Sequence, residues 1–323
     1  LSIAINIVAI AKTNIDFLGA RKYFVWLSVF LSVGGIIVAL ITGVEFGIDF
    51  EGGTEVAVSF SKVVHTDAVR DGAAKAGLHG AEIKSYGKDN QFLLRIKDMD
   101  KGQDAIQASL EKAMPDQDIK IIKIDKIGPK IGGEMRTQAF LAVILAVLAI
   151  LIYIAFRFEF MFGLGAVIAL THDVIITFTL SVLMNKLGIL NLEVDMQVLA
   201  AMLTVIGYSI NDTVIIFYRI LENKEKHKCM NFIILANMSI NETLSRTVNT
   251  VTTVLLTLFC LFFLGGPVLQ SFSFIMILGI VFGTYSSVYV ASAFVVFYLE
   301  KVKKIDLETE YLASKAEKKA IKA

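Results

Sequence analysis

The sequence is poor in charged residues. Only 19% of its 323 residues are charged, 55% are hydrophobic, and the mean hydropathy is +0.68. A water-soluble domain of this length does not need so much apolar material for its core, so the composition indicates an integral membrane protein. The formal net charge of +1 gives no indication of nucleic-acid binding.

Cysteine is equally scarce. Cys229 and Cys260 are the only two, and both fall in or beside stretches expected in the membrane or at its cytoplasmic side. This argues against a disulfide framework and against a zinc site. We therefore predict no metal and no cofactor, and treat both thiols as incidental.

Apolar segments long enough to cross a bilayer, which takes about twenty residues, occur six times. They are residues 23–44, 138–156, 161–184, 196–220, 248–264 and 272–298. The basic residues that flank these spans all fall on one side of the membrane. They are Arg21, Lys22, Arg157, Arg219, Lys224, Lys226, Lys228, Lys301, Lys303 and Lys304. By the positive-inside rule both termini lie in the cytoplasm.

Three further segments are expected on the cytoplasmic side. Residues 1–22 form a cytoplasmic or interfacial segment ahead of a first span that lacks a signal-peptide cleavage pattern. Residues 221–247 form a loop whose apolar residues recur at helical spacing, which predicts an amphipathic helix. Residues 299–323 form a charged, solvated tail.

A single small domain, residues 45–135, is predicted on the outer face. Its strands and helices alternate in the order β-α-β-β-α-β, which is the ferredoxin-like arrangement. The domain has no nucleophile and base pair and no phosphate loop, so catalysis is not expected of it. His65 and His79 flank its first helix and are expected to be surface or capping residues rather than ligands.

Glycine-bearing joints flank this domain. The first carries Gly47, Gly52 and Gly53, and the second carries Gly128, Pro129, Gly132 and Gly133. Glycine permits positive φ and close backbone approach, whereas proline stiffens the chain. The joints are either two tight turns at the membrane surface or hinges on which the domain swings.

A carboxylate, Asp212, stands inside the fourth span. Such a group costs roughly 2.5 to 3.5 kcal/mol on insertion scales, which makes it a functional-site candidate. Tyr208 shares its helical face and Asn211 lies beside it. The fifth span carries a polar stripe of Arg246, Asn249, Thr250, Thr253 and Thr257 at three- and four-residue spacing.

Arg246 is the candidate counter-ion of Asp212. If the two meet, the carboxylate stays ionised, and if they separate, desolvation favours proton uptake, so the pair can act as a switch. The alternatives are a static ion pair that fixes helix register and an arginine that reaches the cytoplasmic interface. In the third span, His172 and Asp173 form a secondary candidate for a proton path, or else a hydrogen-bonded packing pair.

Several motifs carry a family resemblance. They are Phe46-Gly-Ile-Asp-Phe-Glu-Gly-Gly-Thr54, Ile127-Gly-Pro-Lys-Ile-Gly-Gly-Glu134, Thr171-His-Asp173, Ile206-Gly-Tyr-Ser-Ile-Asn-Asp-Thr-Val-Ile-Ile-Phe217 and Asn241-Glu-Thr-Leu-Ser-Arg-Thr-Val-Asn249. In this order they closely resemble the SecF members of the SecD/SecF protein-export family, within the RND superfamily. One departure is Phe217-Tyr-Arg-Ile-Leu-Glu-Asn223, where the family usually has Phe-Asp-Arg-Ile-Arg-Glu-Asn.

The resemblance implies a non-enzymatic subunit that uses the proton motive force to help secreted polypeptides leave the Sec channel. It also implies SecD as a partner, separate or fused, together with SecYEG, accessory membrane subunits and the translocating preprotein, in the cytoplasmic (inner) membrane. Two other classes remain open: an RND-type exporter of small molecules, and a structural subunit of a membrane complex. The exporter class usually has duplicated six-span halves and larger external domains than this chain.

Overall fold

The computed structural model describes residues 13–78, 81–96 and 103–313. Three predicted features lie wholly or partly outside these ranges. They are the first twelve residues of the N-terminal segment, His79, and the part of the tail that follows residue 313. A short 3-10 turn, Leu18–Ala20, leads into helix α1, Arg21–Thr42. The helix ends at Gly43, whose φ of +72° is accessible to glycine and whose N–H bonds to the carbonyl of Ala39.

The small domain follows a one-turn helix, α2 (Ile48–Glu51). Its elements are β1 (Gly53–Phe60), α3 (Thr66–Lys75), β2 (Glu82–Tyr86), β3 (Lys88–Ile96), α4 (Gln103–Ala113) and β4 (Ile119–Ile127). All strand pairs are antiparallel in the order β2-β3-β1-β4. This topology is compatible with the predicted ferredoxin-like arrangement.

Alternation along β1 places its apolar side chains on one face of the sheet. Val56, Val58 and Phe60 are buried there with Val69 of α3 and Leu110 of α4. The two helices therefore cover one face of the sheet and enclose the domain core.

The described residues that follow β4 are mainly helical. The elements are α5 (Pro129–Arg157), α6 (Phe160–Lys186), α7 (Met196–Lys226), α8 (Phe232–Leu264), α9 (Gly266–Ser286) and α10 (Ser292–Lys301). A π-helical turn at Ser287–Ala291 joins α9 and α10 into one span. With α1 these helices give six spans that are long and apolar enough to cross a membrane. The predicted fold class, a polytopic helical membrane protein with a small α+β domain, is confirmed.

Two ends of the bundle are distinct. At the domain end, α1 finishes, α5 starts, and the loop between α6 and α7 meets the small domain. The opposite end, which we call the basic end, carries the ten basic residues that the sequence places together. There the N-terminal segment is tied to α8, because Asn241 exchanges hydrogen bonds with both the N–H and the carbonyl of Ile15.

The structure differs from the predicted boundaries in two places. Helix α8 runs without interruption from Phe232 to Leu264, so the predicted amphipathic helix and the fifth span are one element. No glycine or proline interrupts this stretch, and nothing ends the helix at the membrane edge. Helix α5 begins at Pro129, a favoured first helical residue, so the second joint is part of a helix rather than a turn.

Candidate functional site

Asp173 is the centre of a buried polar cluster at mid-depth in the bundle. The residue is 0% exposed, and it lies on α6, which packs against α7 and α9. Its Oδ2 accepts hydrogen bonds from Ser209 Oγ on α7 at 2.5 Å and from Ser286 Oγ on α9 at 2.7 Å. One carboxylate thus links three helices, in a region where an unsatisfied charge is expensive.

The other oxygen of Asp173 faces its neighbour His172. Its Oδ1 lies 2.9 Å from His172 Nδ1. The imidazole stacks on Tyr285, with ring centroids 6.0 Å apart, and the Tyr285 hydroxyl donates to the carbonyl of Phe24 on α1. A continuous set of contacts therefore connects Asp173 to the first span.

Asp212 is also buried, with 2% exposure, and lies one turn beyond Ser209 on α7. Its Oδ2 accepts a hydrogen bond from Thr284 Oγ1 on α9 at 3.3 Å. The Tyr208 hydroxyl, one turn earlier, is buried without a hydrogen-bond partner in the described part of the chain. The two carboxylates thus occupy one polar layer where α6, α7 and α9 meet.

Arg246 does not form an ion pair with Asp212 in this structure. Within the described ranges, no nitrogen of Arg246 lies within 4.0 Å of a carboxylate oxygen. Arg246 is exposed on α8, whereas the Asp212 carboxylate is turned toward Thr284 on α9. Asn211 is exposed on the outer side of α7. The polar stripe on α8 accordingly faces outward in the isolated chain.

Sequence reasoning missed the hydroxyl partners in this layer. Ser209, Thr284 and Ser286 supply the hydrogen bonds to the two carboxylates. The sixth span also packs closely on α7, because a Cβ placed on Gly279 would meet Val205 of α7 at 2.1 Å. The available signal was the run Thr284-Tyr-Ser-Ser287 inside an otherwise apolar span.

A second polar cluster joins the small domain to the domain end of the bundle. Arg95 Nη2 on β3 lies 3.1 Å from Glu193 Oε2, in the loop between α6 and α7, and Lys84 on β2 also pairs with Glu193. Lys84 and Lys186 bind the two oxygens of Glu45 at 2.9 and 2.7 Å. None of these residues was singled out from sequence, where each resembles an ordinary surface charge.

The ionisation of this cluster is strongly perturbed. Burial raises the pKa of Glu55 to about 7, an effect that the charge of Glu193 increases and that of Arg95 opposes. Burial raises the pKa of Asp195 to about 6, against its hydrogen bond from the Val198 N–H. Burial also acts to raise the pKa of Glu45, but the contacts of Glu45 with Lys186 and Lys84 prevail and lower its pKa to about 2.

The glycine joints meet at the base of the small domain. A Cβ on Gly52, which has φ +77°, would lie 2.8 Å from Pro129 Cα, and a Cβ on Gly132 would lie 3.0 Å from the Gly52 nitrogen. A Cβ on Gly47 would lie 2.8 Å from Asp195 Cβ. The first joint thus packs directly against the start of α5. Gly53 also has positive φ, whereas Gly128 and Gly133 have open space around them.

Comparison with known proteins agrees with this architecture. The family model described as "Protein export membrane protein SecD/SecF, C-terminal" matches residues 106–301. The chain is 36% identical over 303 residues to the protein translocase subunit SecF of Petrotoga mobilis, with 90% of this chain and 98% of that protein covered. The chain belongs to the SecD/SecF family.

Other relatives give the same result. A protein translocase subunit SecF of Thermodesulfovibrio yellowstonii is 39% identical over 289 residues, with 88% of this chain and 94% of the relative covered. The crystal structure of SecDF, described as a translocon-associated membrane protein from Thermus thermophilus, matches with a TM-score of 0.81 at 33% identity. That match covers 91% of this chain but 40% of the longer SecDF chain. This SecD/SecF family member is therefore a SecF-like subunit of a protein translocase.

Proposed function

We propose that this chain works with SecD in the cytoplasmic membrane and uses the proton motive force to complete export of polypeptides from the SecYEG channel. The ten basic residues at the end opposite the small domain support a topology with cytoplasmic termini and an outward-facing domain. Coupling then proceeds through proton binding and helix movement, without covalent chemistry.

The observation that carries this proposal is the buried polar layer. Asp173 and Asp212 lie at the centre of the bundle, each held by hydroxyl groups from neighbouring helices. A scaffold has no need for two such carboxylates, because an apolar pair of similar volume is commonly as stable or more so. The energetic cost of burying these carboxylates is accounted for if they bind and release a proton during transport.

Proton binding at this layer changes how α6, α7 and α9 interact. An ionised Asp173 accepts from Ser209 and Ser286, whereas a protonated carboxyl has one oxygen that becomes a donor. Both serines can rotate their hydroxyls, so each protonation state selects its own hydrogen-bond arrangement. Moving one charge through 100 mV supplies about 2.3 kcal/mol, enough to shift a two-state equilibrium well over tenfold.

Arg246 acts as the movable counter-ion of Asp212. In this structure the two side chains form no ion pair, and Asp212 is bound by Thr284 instead. A shift of α8 relative to α7 that brings Arg246 within ion-pair distance would favour the ionised form. Tyr208, one turn from Asp212, and His172, beside Asp173, provide the neighbouring polar groups of the path.

The exposed polar residues on α7 and α8 indicate that this surface contacts a partner protein. Thr204 and Asn211 on α7 are exposed, as are Arg246, Asn249 and Thr253 on the adjacent α8. A charged or amide side chain facing lipid at mid-depth is unfavourable, so this surface requires protein contact. SecD supplies that contact under the proposal. Photo-crosslinking from Asn249 should capture SecD, whereas the same probe at lipid-facing Ile152 on α5 should not.

The small domain transmits the movement on the outer side. Gly52 in the first joint contacts the start of α5 at Pro129 and Gly132, and the charges of the domain contact the α6–α7 loop, so displacement of these helices moves the domain. A disulfide that locks the domain to the bundle is expected to stop export without lowering expression. Normal export from the locked form would remove the hinge from the proposal.

The decisive experiment measures secretion in inner-membrane vesicles with an imposed proton gradient. Asp212→Asn and Asp173→Asn are expected to remain inserted and bound to SecD but to lose stimulation by the gradient. Asp67→Asn on the exposed surface of the small domain is the matched control and should behave as wild type. If both intramembrane variants retain full stimulation, the proton-relay proposal is wrong.

A further inference from the structure

A groove with a volume of about 770 Å³ runs along the lateral surface of the bundle between α1, α6 and α10. Its walls are mostly aliphatic and aromatic, with Val25 and Val29 on α1, Ile168 and Ile175 on α6, and Phe294 on α10. This surface is separate from the polar stripe on α7 and α8. It also lies toward the opposite end of the bundle from the charge cluster at the domain end.

The groove has the length of one lipid acyl chain. Its α1 wall extends from Lys22 to Val33, which corresponds to about 17 Å at 1.5 Å per residue. One leaflet of hydrocarbon is about 15 Å deep, half of the roughly 30 Å core. The groove therefore begins at headgroup level at the basic end and stops near the middle of the membrane.

The mouth of the groove is charged. Arg21, Lys22 and Lys301 line it, together with Glu300 and Glu308. Glu308 binds both Arg21 and Lys22, at 3.2 and 2.7 Å, and Arg21 lies 3.6 Å from Glu300. Lys301 is exposed and has no ion pair among the residues that the structure describes. The mouth therefore keeps one more positive than negative charge, at the level where lipid phosphates lie.

We propose that this groove is a binding site for one phospholipid of the leaflet at the basic end. One acyl chain lies between α1, α6 and α10, and the phosphate contacts Lys301 and Lys22. Water is a poor occupant because the walls offer few hydrogen-bond partners, whereas an acyl chain fills them well. His172 lines the inner wall, so the bound lipid sets the spacing of α1 and α6 beside the polar layer.

The test uses the full chain with its SecD partner in nanodiscs of phosphatidylglycerol and phosphatidylcholine. Retained lipid is counted by native mass spectrometry after delipidation. Wild type is expected to keep one phospholipid, and Val29→Trp, which fills the groove, is expected to lose it at least tenfold. Ile41→Trp is the control, because Ile41 is exposed on α1 outside the groove.

The charged mouth is tested in the same assay. Lys301→Glu should weaken phosphatidylglycerol retention at least fivefold, since each basic residue near anionic lipid contributes about that factor. Lys228→Glu, exposed at the basic end but outside the groove, is the control. Equal loss in both lysine variants would indicate general surface attraction and overturn the site.

A photoactivatable phospholipid in the wild-type complex gives a readout that does not depend on folding of a variant. Labelled peptides are expected from α1 and α10. Retention unchanged by Val29→Trp, equal loss in Ile41→Trp, or capture of a SecD helix by a photo-crosslinker at Val29 would each overturn the proposal.

Discussion

Ser209 on α7 donates a hydrogen bond to Asp173 on α6, with 2.5 Å between Oγ and Oδ2. Asp212 lies on the same helix as this serine, so the position of α7 affects both buried carboxylates. Because Ser286 on α9 binds the same oxygen of Asp173, this carboxylate connects α6, α7 and α9.

Removing the Ser209 hydroxyl should impair transport without impairing folding. Intramembrane hydrogen bonds contribute about 0.6 kcal/mol on average, so Ser209→Ala should remain folded and bound to SecD. We expect gradient-driven secretion to fall several-fold, because Asp173 loses one of its two hydroxyl donors. Ser181→Ala is the control, since Ser181 is buried on α6 but bonds only to the Thr177 carbonyl. Equal secretion by the two variants would argue against the role of Ser209.

Breaking the ion pair between the domain and the bundle should weaken their contact. Arg95 and Glu193 have side-chain exposures of 10% and 6%, and loss of one partner of a buried pair costs about 3 to 5 kcal/mol. Arg95→Gln should therefore increase protease cleavage at the joints. Arg70→Gln, whose arginine is exposed and pairs locally with Asp67, should have little effect.

A double-mutant cycle isolates this pair from its surroundings. Arg95→Gln combined with Glu193→Gln should be less destabilised than the sum of the single variants, because the contact between the two side chains is lost in each single variant but can be lost only once in the double variant. Strict additivity of the two changes would mean that the 3.1 Å contact contributes nothing to docking.

The sequence predicted the spans, the small domain and Asp212, because each depends on a local pattern of hydropathy or on the cost of one charge in an apolar run. It could not predict that Thr284 rather than Arg246 contacts Asp212, since this depends on how α9 is rotated against α7. The ion pairs at the basic end of the fourth span likewise could not be predicted from the sequence. There Arg219 binds Glu222 and Glu242 despite the departure from the family pattern.

Docking of the domain should depend on pH. Glu55, with its pKa raised from 4.5 to about 7, and Asp195, with its pKa raised from 3.8 to about 6, bind protons more tightly when docked. Docking is therefore favoured at low pH and weakens as the pH rises from about 4 to about 7. Glu45 has the opposite sign, and its contribution is lost as the pH falls from 4.5 toward 2. Docking should be strongest near about pH 4, above the range in which Glu45 loses its charge and below the range in which Glu55 and Asp195 ionise.

Spin labels at Lys75 on the domain and Leu187 on the bundle measure this docking in a cysteine-free background, since Cys229 and Cys260 are both exposed. The distance distribution should be narrow at pH 5.5 and broader at pH 8. Glu55→Gln, which imitates the protonated carboxyl, should keep the narrow distribution at pH 8. An unchanged pH response in this variant would show that Glu55 does not control docking.

Two adjacent glycines in α5 provide a matched test of the joint. A Cβ at Gly132 would lie 3.0 Å from the Gly52 nitrogen and 3.4 Å from the Phe50 carbonyl, whereas a Cβ at Gly133 has no atom within 4 Å. Alanine ordinarily stabilises a helix by about 0.5 to 1 kcal/mol relative to glycine, so Gly133→Ala should raise the thermal unfolding temperature. Gly132→Ala should lower it, because overpacking against backbone costs about 1 to 3 kcal/mol.

Secretion measured on the same two variants then distinguishes a moving joint from a fixed packing contact. If the domain swings on this contact, Gly132→Ala should reduce gradient-driven export by more than its loss of stability explains, since the added methyl group separates α2 from α5. Gly133→Ala should export as wild type. Export that follows the unfolding temperature alone in both variants would favour a fixed contact, because then the close approach of Gly52 and Gly132 serves only packing.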